Sequence, residues 1–228
     1  MPPAANLVRT DQQVKKDIVD HLVWDARVDA SNVSVEVNNG KVALTGNVTS
    51  IRARRAAEED ARGIRGVCQV DNQLTVIHAD RTVQPDDEIC ANADSSLHWS
   101  SDINPQNVTV EVFSGVVTLK GTVESYWQRT LAEELVDNVD GASEVNNELA
   151  VVPTESLGDQ AIAACIEQAL ARTAYLNAGA VTVKVDNGTV TLSGAVSTWA
   201  AYRSACEAAV YTGGVKDIVN NLCVMPQA

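Results

Sequence analysis

Residues 33–48 read VSVEVNNGKVALTGNV, residues 108–123 read VTVEVFSGVVTLKGTV, and residues 181–196 read VTVKVDNGTVTLSGAV. The three copies begin at Val33, Val108 and Val181, so their spacing is nearly constant, and no gap interrupts the stretch. Such self-similarity at a nearly fixed spacing is the signature of tandem repeats. We therefore predict three modules, at residues 11–78, 85–152 and 158–225, joined by short linkers near 79–85 and 153–158.

The repeated stretch has the pattern of a β-hairpin. Val33, Val35 and Val37 alternate with polar residues, which is typical of a strand with one buried face. Asn39-Gly40 predicts a type I′ turn, because both central residues of that turn need positive φ. The glycines at this turn position are Gly40, Gly115 and Gly188.

One glycine recurs on the inner face of the second strand, where a larger side chain would point at the core. Its three copies are Gly46, Gly121 and Gly194. Glycine inside a strand often marks a place that another element approaches closely. We expect a helix or another stretch of backbone to lie against this position.

Helices are predicted on both sides of the hairpin. Val14, Ile18 and Leu22 are spaced by four residues before it, as on one face of a helix. After it come three residues that favour the N-cap position, Ser50, Ser125 and Thr198. Small apolar residues follow on one helical face, and we expect each helix to stop at a glycine, namely Gly66, Gly141 and Gly214.

These elements predict an α+β fold of three tandem α-β-β-α-β modules. The second helix is a crossover, so the third strand should run parallel to the second. Each module then has a three-stranded mixed sheet, covered on one face by two helices and polar on the other.

The composition excludes several classes of function. The net charge is −13, and residues 81–153 carry 13 of the 30 acidic side chains but only 3 of the 17 basic ones. A chain with this charge has no general basic field to neutralise phosphates, so nucleic acid is not expected as a partner. No apolar run is long enough to span a membrane. No basic region followed by an apolar stretch opens the sequence, so we expect a cytoplasmic protein, or a periplasmic one if the chain is a mature form.

No catalytic or metal-binding pattern is present. The five cysteines include no CxxC pair and occupy different positions in the three copies, so we expect small buried side chains rather than a disulfide framework or a zinc site. No nucleophile with a matching base can be assembled. We therefore expect a protein that is not an enzyme, has no cofactor and binds no metal.

The repeat resembles the BON domain, the family named for bacterial osmotically inducible and nodulation proteins. The matching pattern is V-x-V-x-x-G-x-V-x-L-x-G-x-V, followed by Ser or Thr, a helix with alanines, and G-V-x-x-V-x-N-x-L. In the first copy Val33–Val48, Ser50, Gly66 and Asn72 carry it, and Asn147 and Asn220 are the later counterparts of Asn72. The resemblance implies a non-enzymatic module linked to osmotic or envelope stress, for which phospholipid binding is proposed.

Two features that do not recur are candidates for a binding surface. Five arginines crowd the second helix of the first module, and we expect this helix to dock on the acidic second module, to bind anionic headgroups, or simply to be solvated. They are Arg52, Arg54, Arg55, Arg62 and Arg65, and the first three are the candidates for the binding surface. Trp127 has Arg52 and Ala200 at its equivalent positions, so it is not shared core. It is expected to pack between modules or to anchor an external partner.

The sequence thus favours a stress-associated binding protein that contacts phospholipid headgroups or another envelope component. Two alternatives stay open. One is a soluble scaffold that pairs with proteins or with another copy of itself, and the other is an ion-sensing module of the cytosol.

Overall fold

The computed structural model describes residues 9–77, 84–154, 157–173 and 178–225. Module 1 contains α1 (Asp11–Trp24), β1 (Val33–Asn38), β2 (Lys41–Val48), α2 (Ile51–Gly63) and β3 (Gln69–Val76). Module 2 contains α3 (Asp86–His98), β4 (Val108–Phe113), β5 (Val116–Val123), α4 (Tyr126–Asp137) and β6 (Glu144–Val151). Module 3 contains α5 (Asp159–Arg172), β7 (Val181–Asp186), β8 (Thr189–Val196), α6 (Trp199–Val210) and β9 (Asp217–Val224). His78 at the predicted end of the first module and most of the 79–85 linker lie outside the described residues.

The predicted fold class is confirmed. Each module has its own three-stranded sheet, in which the first two strands are antiparallel and the third returns parallel to the second. The register is the same in all three, since the inner glycine of the second strand opposes the first valine of the first strand. The two helices of each module cover one face of its sheet, and the helix residues spaced by four are buried there, as Val14, Ile18 and Leu22 are in module 1.

The hairpin turns have the backbone that a type I′ turn requires. In module 1, Asn39 has φ of 49° and Gly40 has φ of 75°. The other two turns match, with Ser114 and Asn187 at φ of 51°. Serine adopts this left-handed conformation less readily than asparagine, so the turn at Ser114 is the least favourable of the three by sequence.

The close neighbour of the inner strand glycine is the backbone at the end of a short 3₁₀ turn that leads into the first strand, not the crossover helix. Gly46 has φ of +116°, and a Cβ added to it would overlap the carbonyl oxygen of Asn32, just before β1. The same overlap would arise at Gly121 against Asn107 and at Gly194 against Ala180. The glycine therefore lets the entry to the first strand cross directly over the second strand, and any side chain would push the two apart.

The second helices begin where the sequence predicts and end earlier. Ser50 and Thr198 accept hydrogen bonds from the backbone amides of Ala53 and Ala201, both at 3.1 Å. Ser125 occupies the same N-cap position but makes no such bond. The helices end at Gly63, Asp137 and Val210. The glycines expected to stop them lie farther on, where a Cβ would press against a core side chain of the first helix.

An asparagine on the third strand ties the crossover helix to the sheet. The Asn72 side-chain amide donates to the carbonyl oxygen of Arg54 at 3.0 Å, and its oxygen accepts from the amide of Leu74. Asn147 repeats both bonds with Arg129 and Leu149. In modules 1 and 2 this asparagine thus satisfies backbone groups on two elements at once. In module 3 the amide of Asn220 donates to the Tyr202 hydroxyl and the Cys206 sulfur, and its oxygen accepts from the strand.

An aspartate at the start of each first helix holds the hairpin turn. The two carboxylate oxygens of Asp86 accept from the backbone amides of Ser114 and Gly115 at 2.7 and 2.9 Å. Asp11 and Asp159 make the equivalent pairs of bonds in modules 1 and 3. Charged hydrogen bonds of this kind are stronger than neutral ones, so this contact fixes the hairpin against the helix that covers it.

Replacing Asp86 with alanine should lower the free energy of unfolding by about 1–3 kcal/mol, because two turn amides lose their partner. Asp87→Ala is the matched control. Asp87 is exposed in the same first turn and has the same charge, so both variants lose a similar interaction with the helix dipole. Urea unfolding followed by circular dichroism measures the difference. Equal destabilisation by the two variants would contradict the role given to Asp86.

Candidate functional site

The second helices of the three modules meet in a closed ring of contacts. The first residue of each helix, which is Ile51, Tyr126 or Trp199, reaches the next module. Ile51 is 1% exposed in the core of module 2, and Tyr126 packs against the core of module 3. Trp199 completes the ring, since its indole Nε1 donates to the carbonyl oxygen of Val67 in module 1 at 2.9 Å. Each module therefore contacts both of the others.

The contact between modules 1 and 2, the 1–2 joint, is an ion-pair cluster. Nη2 of Arg55 lies 2.6 Å from Oε1 of Glu133 and 2.7 Å from Oδ2 of Asp137. Asp137 is 6% exposed. Burial raises the pKa of Asp137 to about 6, and the charge of Arg55 only partly opposes this effect. Helix α2 of module 1 thus docks on the acidic module 2 through Arg55.

The contact between modules 2 and 3, the 2–3 joint, combines a ring and an arginine. Nη1 of Arg129 lies 3.5 Å from Oδ1 of Asp217 in module 3. The same guanidinium lies 5.7 Å from the centre of the Tyr126 ring. Burial raises the pKa of the Tyr126 hydroxyl. This joint is closed by packing of Tyr126 and one solvent-accessible ion pair.

The contact between modules 3 and 1, the 3–1 joint, contains a cleft of about 800 Å³. Trp199 forms one wall. The Tyr202 ring lies edge-on to it, with 4.9 Å between the ring centres, and the Arg62 guanidinium lies 5.0 Å from the centre of the Trp199 ring. Arg65 and Arg203 also line the cleft. A volume of this size is typical of a site for a small molecule.

The residues singled out in the sequence do not form one surface. Arg55 is used in the 1–2 joint, Arg54 is half-buried near Asp137, and Arg52 is exposed. Trp127 is half-buried. The most exposed rings of the described residues are instead Trp24 and Trp99, which are 88% and 89% exposed at the ends of the first helices of modules 1 and 2, followed by Phe113 and Tyr211. Trp24 and Trp99 occupy equivalent positions in the repeat, so comparison of the copies in the sequence could have identified this position.

The cysteines differ from expectation, since none of the five is fully buried and Cys165 and Cys223 are exposed. Burial raises the pKa of the Cys206 thiol, so it stays protonated at neutral pH and is a weak nucleophile. Across residues 9–77, 84–154, 157–173 and 178–225, no group of three or more His, Cys, Asp or Glu side chains could hold a metal ion. The same residues include no helix of the length and apolar character that crossing a membrane demands.

Three similar modules, each an α-β-β-α-β unit, define a tandem-repeat α+β protein. The profile of the BON domain matches residues 10–78, 85–153 and 158–226. The chain therefore belongs to the BON-domain family, as its sequence pattern indicates. It is 30% identical over 141 residues to the osmotically-inducible protein Y of Escherichia coli K12, an alignment that covers 60% of this chain and 68% of that protein.

Likeness to solved structures is weak. The C-terminal domain of CdsD, a structural protein of the type III secretion system of Chlamydia trachomatis, aligns over 92% of this chain and 96% of its own at 16% identity, with a TM-score of 0.26. The periplasmic domain of PrgH from S. typhimurium aligns over 84% of this chain and 93% of its own at 12% identity, with a TM-score of 0.22.

The buried carboxylate of the 1–2 joint makes a prediction about pH. Asp137 takes up a proton near pH 6 in the folded protein but near its ordinary pKa of 3.8 when unfolded. The folded state therefore binds more protons between these values, and this residue's contribution to stability grows as the pH falls from about 7 to 4 and is lost as it rises. We expect a gain of about 1–3 kcal/mol from this residue alone.

The difference between the parent and Asp137→Asn isolates that contribution, because every other carboxylate is shared. Thermal unfolding of both proteins should be followed at several pH values between 4 and 7.5. The parent should gain stability relative to the variant on acidification. Parallel curves for the two proteins would show that Asp137 titrates normally.

Proposed function

We propose that this chain is a non-catalytic, stress-associated binding protein that attaches peripherally to a lipid surface of the cell envelope. The observation that carries the proposal is the pair of exposed tryptophans, Trp24 and Trp99. A soluble protein rarely exposes a whole indole, and tryptophan prefers the boundary between water and lipid, where one end of the ring is apolar and the other is wet.

The closed ring of modules supports placing the two tryptophans on the same side of the molecule. Contacts that repeat head to tail and close on themselves relate equivalent positions by rotation about one axis. Trp24 and Trp99 occupy equivalent positions in the repeat, so we expect them to lie at the same level on one side of the ring. Val23, which is 67% exposed beside Trp24, adds apolar surface there, and module 3 has the exposed Arg172 at the same level.

The opposite end of module 2 offers an internal comparison. Phe113 is 80% exposed beside the hairpin turn that Asp86 holds at the start of α3. Trp99 follows the other end of α3, about 20 Å away at 1.5 Å per residue. Module 2 therefore exposes one aromatic ring at each end. Trp99 has an aromatic counterpart in module 1, Trp24, whereas Phe113 corresponds to Asn38.

The acidic charge of the chain fits insertion of rings better than attraction to anionic headgroups. The net charge is −13, and Arg55, for which docking on module 2 and binding of anionic headgroups were both open, is used between modules. Burial of a large apolar side chain stabilises by about 1.5–3 kcal/mol, and salt does not screen that term. The link to osmotic stress rests on the resemblance to the osmotically-inducible protein Y of Escherichia coli and is part of the proposal.

The test is sedimentation of the full chain with vesicles of phosphatidylcholine at physiological ionic strength, so that repulsion between the acidic chain and anionic lipid does not mask insertion of the rings. The double variant Trp24→Ser/Trp99→Ser should reduce the partition coefficient by about tenfold or more, since each tenfold step corresponds to about 1.4 kcal/mol. Phe113→Ser is the matched control and should bind like the parent. Circular dichroism of all three proteins checks that they fold alike.

Arg52→Gln and Trp127→Phe test the surface that the sequence favoured, and we expect both to bind vesicles normally. Absence of vesicle binding by the parent would refute the lipid proposal. If a protein partner were then found to lose affinity only for the double tryptophan variant, the same end of the ring would belong to a scaffold instead.

A further inference from the structure

The 3–1 joint differs from the 1–2 joint in its charges. When the three copies are aligned on their repeated stretches, Arg203 in module 3 is the counterpart of Arg55, and Arg62 in module 1 is the counterpart of Asp137. At the 1–2 joint, Arg55 meets Asp137 at 2.7 Å. At the 3–1 joint, the same two positions hold two arginines, and the carboxylate is missing.

The neighbouring carboxylates only partly compensate for this exchange. Glu58 pairs with Arg62 within module 1, and Glu207 lies 3.9 Å from Arg203 on the same helix. The Nε atom of Arg62 is buried and has no hydrogen-bond partner. Arg65 adds a third guanidinium to the lining, against the single carboxylate of Glu59. The lining of the cleft therefore holds three guanidinium groups and one carboxylate, on a chain that is strongly acidic as a whole, and Glu58 and Glu207 are not part of that lining.

The same joint also lacks the packing of the other two. Ile51 is inserted into the core of module 2, and Tyr126 packs against the core of module 3. Trp199 instead packs against its own module, and touches module 1 through the hydrogen bond to Val67 and the stacked Arg62. The space that a neighbouring core would fill at this joint is the cleft of about 800 Å³.

We infer that the 3–1 cleft is a binding site for a small amphipathic anion. Its acidic group, a phosphate or carboxylate, takes the place of the missing carboxylate between Arg62 and Arg203. Its apolar body lies against Trp199 and Tyr202. Guanidinium groups bind such oxyanions with paired hydrogen bonds, and aromatic walls give the apolar part a place out of water. The site uses no residue of the Trp24 and Trp99 end, so it does not depend on attachment to lipid.

The test uses octyl phosphate, kept below its micellar concentration, with inorganic phosphate and 1-octanol as the two partial probes. A full-length chain carrying Trp24→Phe, Trp99→Phe and Trp127→Phe keeps Trp199 as its one tryptophan, so its fluorescence reports the cleft. We expect saturable binding of octyl phosphate, at least about tenfold tighter than that of either partial probe. Equal affinity for inorganic phosphate would overturn the apolar half of the assignment, and equal affinity for octanol would overturn the anionic half.

Two substitutions of Arg203 locate the acidic group. Arg203→Gln removes one of the facing guanidinium groups and should weaken octyl phosphate binding by about tenfold or more. Arg203→Glu places a carboxylate opposite Arg62, as at the 1–2 joint, and should abolish binding while raising the unfolding temperature. Lys184→Gln removes one positive charge from the exposed sheet face of module 3 and should leave the affinity unchanged.

Unaltered binding by both Arg203 variants would overturn the site, as would the absence of saturable binding by the parent fluorescence protein. The Arg203→Glu variant also keeps a readout when ligand is absent. If its unfolding temperature fell below that of Arg203→Gln, the two arginine positions would not face each other as the repeat implies.

Discussion

The assembly depends on the packing of the first side chain of a second helix against the core of the next module, as Ile51 does in module 2 and Tyr126 in module 3. A module of this size buries a modest share of its surface and is marginal by itself. Alanine on the inner face of α2 draws that helix close to its own sheet, but it also supplies little apolar area. Ile51, fully buried in the core of module 2, adds area that neither module has alone. Stability is thus shared across the joints, and closing the ring lets each module support another.

Features inside one module could be predicted from the sequence because their causes are local. Alternating valines, the Asn-Gly turn and apolar residues spaced by four each identify an element through its own periodicity. The parallel third strand follows from the length of the crossover. The inner glycine was assigned correctly to a close approach, yet the choice between helix and backbone needed coordinates, because both would exclude a Cβ.

The contacts between modules could not be predicted in the same way. Comparison of the copies identifies Ile51, Tyr126 and Trp199 as one position, but it does not say which core receives each side chain. The arginine and the aspartate that meet at the 1–2 joint belong to different modules and lie far apart in the sequence. One contact was within reach of the sequence, since an aspartate opens the first helix in every copy and holds the hairpin in every module. A negative charge at the start of a helix is already explained by its interaction with the helix dipole. The sequence therefore contains no separate sign that the aspartate also binds the hairpin turn.

Recurrence between copies separates structural from functional residues only when exposure is considered with it. The strand valines recur and are largely buried, so the fold explains them. Trp24 and Trp99 recur and are almost wholly exposed, so no packing inside either module accounts for the match. The position of Arg203 holds Arg55 in module 1 and Thr130 in module 2, and the role of an arginine there depends on the residue that faces it across the joint. A repeated chain that closes into a ring therefore offers two kinds of functional position. The first kind is a residue that recurs and is exposed in more than one module, as Trp24 and Trp99 are. The second kind arises where one joint differs in charge and packing from the others, as the 3–1 joint does.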